Sequence, residues 1–168
     1  MSSIQEQIKS YLEANPTLMS LAEGGVWTRP LKRGERPPVG EEYTGDSDPT
    51  PEAFDPDTGW VLPCIVISPR IDTGAYYGLI RASGKYMVMS PIVAYYAPPT
   101  DQQGEILTKM SLLTGRTLLG KKVEILPGEG GNIVIPHMIT GSIEIPEMPN
   151  SGVVMVERLE IDAVFDRT

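Results

Sequence analysis

Nucleophiles and metal ligands are scarce in this chain, which has a single cysteine, Cys64, and a single histidine, His137. One cysteine excludes an intramolecular disulfide framework and a thiolate metal cluster. A histidine-centred acid, base or metal site needs carboxylate or cysteine partners at ligand spacing, and none stands near His137. Bases are also in short supply, 14 against 22 acids for a net charge of −8. That balance argues against general phosphate-backbone binding, which works through Lys and Arg. It suits a channel through which nucleic acid slides without sticking. No apolar run approaches the roughly 20 residues that span a bilayer. The opening Met-Ser-Ser-Ile-Gln-Glu lacks the basic and apolar regions of a secretory leader, so the expected site of synthesis is the cytoplasm.

Glycine and proline, by contrast, are plentiful: 17 and 16 of 168 residues. Turns and loops therefore take a large share of the chain. The length suits one domain better than two. The apolar residues cluster well enough to read elements. Ser3 to Glu6 forms a capping box, and Ile4, Ile8, Tyr11 and Leu12 follow at helical spacing. Asn15-Pro16 stops that helix, and a short turn from Thr17 to Glu23 ends at Gly24-Gly25. Val26 to Arg29 is extended. Trp60 to Ser68 and Tyr86 to Ala97 are strands apolar on both faces, the second interrupted by Pro91. Thr100 to Gln103 forms another capping box, opening a helix with Ile106, Leu107, Met110 and Leu113 on one face. Gly120 ends it. Val123 to Leu126 is a short strand, Pro127 to Asn132 a turn, and Ile133 to Ile145 an extended region. Val153 to Phe165 alternates cleanly, with Leu159, Ile161, Ala163 and Phe165 on one side and Arg158, Glu160 and Asp162 on the wet side.

Two segments stand apart. Pro30 to Thr58 carries Pro30, Pro37, Pro38, Pro49, Pro51 and Pro56 among few apolar residues (Leu31, Val39, Tyr43, Phe54). It is too long for an ordinary connection and too polar to pack a core of its own. The expectation is an arm that takes its order from another chain. Ile71 to Ala82, with Gly74 and Gly78, reads as part of a projecting hairpin or loop, taken here as 71–84. The expected fold is α+β: a single mixed β-sheet built from 60–68, 86–97 and 153–165, with an N-terminal helix and a central helix packed on it, plus long projecting loops.

Motifs for chemistry are wanting. Gly128-Glu129-Gly130-Gly131-Asn132 has neither the Gly-Lys-Ser/Thr ending nor the following helix of a phosphate loop. The acids of 41–57 lack the order of an EF-hand. Cys64 sits in an apolar strand, where cysteine behaves as a small hydrophobe. No enzyme, cofactor or metal is expected.

The order of elements resembles that of a known family. Pro16-Thr-Leu18-Met-Ser-Leu21-Ala-Glu-Gly-Gly25-Val26 follows an amphipathic helix and fits P-x-L-x-x-L-x-x-x-G-V. Pro63-Cys-Ile-Val-Ile67 lies beyond it, and a second strand then runs into a helix. This resembles the tail terminator and tail completion proteins of long-tailed bacteriophages over residues 4–29, 60–68, 86–126 and 153–166. The resemblance implies a structural virion protein, made in the host cytoplasm and located in the tail or neck. Such a protein forms a homohexameric ring that caps the tail tube and ends its polymerisation. Its implied partners are further copies of itself, the tube protein and the head–tail connector or stopper, with DNA only as cargo in the bore and no membrane. The 30–58 insert, the 71–84 projection and the 127–146 region depart from the family's compact pattern. Other readings are another head–tail joining, tail-tube or baseplate component, or a non-viral β-sheet binding module. Candidate interface residues are Arg29, Lys32, Arg33, Arg36, Phe54, Tyr76, Tyr77, Arg158, Glu160 and Asp162.

Overall fold

The computed structural model describes residues 3–35, 48–68, 86–89, 91–126, 129–134, 138–144 and 151–164. The first helix, α1 (Ile4–Glu13), starts where expected: the Ser3 hydroxyl accepts from the Glu6 N–H at 3.1 Å, and Ile8 and Leu12 are fully buried. Asn15 then opens α2 (Pro16–Leu21), its side-chain oxygen accepting from the Thr17 and Leu18 N–H groups. Proline at the first helical position costs nothing there, because that N–H has no intrahelical partner. The Asn15 amide also donates to Thr117 Oγ1 at 2.8 Å, tying α2 to the central helix.

The class is α+β, as expected, with a mixed sheet and both helices packed on it. The strands divide between two sheets rather than one. The larger contains β1 (Val26–Trp27), β2 (Cys64–Ser68), β4 (Ile92–Ala97), β8 (Val153–Arg158) and β7 (Met138–Glu144), in the order β1-β2-β4-β8-β7. Only β1 and β2 are parallel. The smaller contains β3 (Tyr86–Met89), β9 (Glu160–Val164), β6 (Glu129–Val134) and β5 (Lys122–Leu126), in the order β3-β9-β6-β5.

The corner between the sheets lies in one long antiparallel pair. β4 pairs with β8, and β3 with β9, so the same two stretches of chain serve both sheets. The break falls at Pro91 on one stretch and Leu159 on the other, where the Leu159 N–H donates to the Pro91 carbonyl at 2.9 Å. Proline has no N–H to continue a ladder, so both strands turn there. The fully buried Leu159 fills the inside of the bend.

The central helix, α3 (Glu105–Leu118), begins later than the capping box at 100–103 implied. Gly104 takes the left-handed φ of +69° at the cap position. The Asp101 carboxylate reaches forward to accept from the Ile106 and Leu107 N–H groups. Leu107, Met110, Thr114 and Leu118 are buried, while Ile106 and Leu113 pack at the margin. Gly120, at φ +78°, ends the turn after Leu119.

Residues 129–132, expected in a turn, belong to β6. At Gly130 an added Cβ would lie 1.9 Å from the Val123 carbonyl oxygen, so this pairing admits only glycine. The outer edge of β5 is covered by α1. The Gln7 amide donates to the Glu124 carbonyl at 2.8 Å and accepts from the Glu124 N–H at 2.7 Å, and Tyr11 Oη donates to the Lys122 carbonyl. A side-chain amide thus takes the place of a neighbouring strand and blunts an exposed edge.

Period-two alternation puts the larger sheet's two faces into two cores. Ile65, Ile67, Val93, Tyr95 and Met155 join the three helices and the smaller sheet in the main cluster. Cys64, Val66 and Val154 face the other way. Their cover is the insert itself: Leu31, Ala53 and Phe54, with Val61 just beyond it, complete the second cluster. The described ends of 30–58 are therefore ordered on the chain's own sheet, contrary to the expectation that another chain must supply the contacts. A few well-placed apolar residues suffice when a sheet face is available to receive them. The two ends also meet each other. The Thr50 N–H donates to the Lys32 carbonyl at 2.7 Å, and the Lys32 N–H to Thr50 Oγ1 at 3.0 Å.

Candidate interaction surfaces

The chemistry-bearing side chains within the described core are committed to structure. Cys64 is fully buried, and that burial pushes its thiol pKa up, away from the thiolate a nucleophile requires. Glu157 lies on the helix-facing side of β8, 7% exposed, and accepts from Tyr95 Oη at 3.0 Å and from the Ser111 hydroxyl. This bonding makes a carboxylate tolerable inside the core. Burial, and then the charge of Glu157, push the Tyr95 phenol pKa up. The arrangement pins β4, β8 and α3 together. Among the described residues, no group of three or more His, Cys, Asp or Glu is placed to hold a metal. His137 lies outside them.

Several expected interface residues come together around the insert. Arg29 stacks 4.8 Å from the centre of the Trp27 ring and donates from Nη2 to the Pro49 carbonyl at 3.1 Å. Arg33 lies 5.1 Å over the Phe54 ring and donates to Ser151 Oγ at 2.5 Å. These guanidiniums anchor the two ends of the insert to one another and to the 151–152 turn. Phe54 is 9% exposed within the second core, and its rim borders an open depression of about 720 Å³ between Arg33, Pro51 and Asp55. Lys32 is exposed at the neck of the insert. Arg158 is exposed at the end of β8, away from this group, and the β9 positions of Glu160 and Asp162 pair with Val134 and Asn132. Arg36, Tyr76 and Tyr77 fall outside the described residues.

Sequence reasoning missed a second surface. Between α2 and α3 runs a groove of about 350 Å³ whose walls include Leu21, Leu112, Leu113, Lys109 and Arg116. Leu112 is 57% exposed and Leu119, at the end of the helix, 65%. The signal was present: Leu112 stands off the Leu107–Met110–Leu118 stripe, where a solvent-facing helix ordinarily places a polar residue.

No protein-family model matches the chain, and no curated protein does. Among solved structures, a chain from a particle described as the virion of a native gene transfer agent superposes with a TM-score of 0.56. The match spans 97% of this chain and 96% of that one, at 9% identity. The two share a fold along nearly their full lengths.

Proposed function

We propose that this chain is a structural protein of a phage-like virion, and within it a tail terminator whose ring caps the tail tube and meets the head connector. The observation that carries the reading is the end-to-end fold likeness to a chain of a virion particle. The Pro16–Val26 and Pro63–Ile67 patterns, read from sequence alone, point in the same direction. The work of such a protein needs no catalysis: it needs distinct faces, subunit edges that close a cycle, and a bore that does not grip DNA. An acidic chain of net charge −8 suits the bore. The burial of Cys64 and the bonding of Glu157 inside the core fit a protein that works through its surfaces. The test is immunogold labelling of intact particles carrying this chain. Label confined to the junction of tail and head is expected. Label along the whole tube or over the capsid would overturn the terminator reading.

A further inference from the structure

Among the described residues, the large apolar side chains left exposed are Trp60, Leu112 and Leu119. They fall on two surfaces only. Leu112 lines the α2–α3 groove, and Leu119 follows it at i+7, two turns on along the same helix; Arg116 lies between the groove and a second depression beside Tyr11 and Lys121. Lys109, in the groove wall, has a carboxylate partner at i−4, Glu105. Arg116 has no carboxylate partner among the described residues. An uncommitted cation beside an apolar groove calls for an occupant with an apolar tip and negative charge.

The chain carries such a tip on its other side. Residues 55–60, Asp-Pro-Asp-Thr-Gly-Trp, form a loop held by its own hydrogen bonds. Asp55 Oδ1 accepts from the Asp57 N–H at 2.9 Å, and the Asp55 N–H donates to the Trp60 carbonyl at 2.8 Å. The Gly59 N–H donates to the Asp55 carbonyl at 2.8 Å, with Gly59 at φ +74°. Trp60 closes this loop, 39% exposed and three residues after Asp57. A loop already ordered loses little entropy on docking, and a tryptophan anchor is what concentrates binding energy at interfaces.

The groove backs onto the core of Ile65 and Ile67, the loop onto that of Cys64 and Val66, so the two surfaces lie on opposite sides of the larger sheet. A pair of different, complementary surfaces makes a head-to-tail contact, which closes into a ring when the rotation allows. We infer that the α2–α3 groove of one subunit receives the Trp60 loop of the next copy of this chain, with Arg116 facing Asp57. The inference rests on the ring reading above.

The test uses two full-length variants, Leu112→Asp in the groove and Trp60→Ser in the loop, measured by sedimentation velocity against wild type. Each variant alone should lose self-association by at least about tenfold. Mixed in equal amounts they should form a heterodimer and stop there, because one intact groove and one intact loop remain. That rescue also shows that both variants are folded. If wild type associates but either variant associates equally well, the contact is wrong while the ring reading stands. If both variants fall apart and no heterodimer forms on mixing, the head-to-tail pairing is overturned. A wild type that stays monomeric removes the ring reading, and this surface with it.

Discussion

Replacing Phe54 with alanine separates a folded insert from a detachable arm. The ring packs with Leu31, Ala53, Val61, Cys64, Val66 and Val154 on the far face of the larger sheet. Removing a buried phenylalanine costs about 3–5 kcal/mol. The lower end applies here, because the ring is 9% exposed and borders an open depression that water enters, so no sealed void remains. The Arg33 guanidinium 5.1 Å above the ring adds about 0.5–1 kcal/mol. A combined loss of about 3.5–4 kcal/mol is a large part of the roughly 5–15 kcal/mol that holds such a domain. With a urea slope of about 2 kcal/mol/M, the unfolding midpoint should fall by about 1.8–2 M at unchanged slope. Equilibrium urea denaturation followed by tryptophan fluorescence reads this directly, since Trp27 lies beneath the insert's first anchor, Arg29. A midpoint within about 0.2 M of wild type would refute the reasoning, for it would mean the insert contributes nothing to the cooperative core.

Three further outcomes follow from the same packing. Glu157→Ala leaves the Tyr95 and Ser111 hydroxyls without their buried acceptor and should cost about 2–3 kcal/mol, whereas Glu157→Gln, which keeps an acceptor, should cost about 1 kcal/mol; chemical denaturation ranks them, and equal losses would contradict the assignment. Burial raises the folded Cys64 pKa above its unfolded value of about 8.5, so the contribution is fully present below that pH and declines as pH rises, by about 2 kcal/mol at pH 10. Cys64→Ala should remove this decline, so parallel stability–pH curves for wild type and variant would be the contrary result. Gly152→Ala places a Cβ 2.4 Å from Val61 Cγ1 and 2.5 Å from the Ala97 carbonyl oxygen. It should cost about 2–3 kcal/mol by thermal melting, and an unshifted transition would show that the turn yields freely.

The strands at 60–68 and 86–97 announced themselves by being apolar on both faces, and that pattern already demanded cover on both sides. The cover for the second face stayed hidden because Leu31, Ala53 and Phe54 are scattered among prolines and charges, where no period marks them. Pro91 marked an interruption in its own strand. Its counterpart did not show, since the alternation around Leu159 runs on unbroken and only the pairing changes sheets. Gly130 looked like turn chemistry, because the demand for a bare backbone comes from Val123 across the ladder. The role of Glu157 was hidden for the same kind of reason: its partners Tyr95 and Ser111 are 62 and 46 residues away. Of the candidate interface, the basic residues were legible as a cluster, but their local use as anchors for the insert was not. The α2–α3 groove needed the packing angle of two helices to exist at all.

Native mass spectrometry of the full-length chain tests the proposed closed ring of identical subunits most directly. Six copies of the 18.3 kDa chain should give a dominant species near about 110 kDa, with no ladder of larger open assemblies. A spectrum holding only the 18.3 kDa monomer at every concentration, or an unbounded series of multiples, would contradict it.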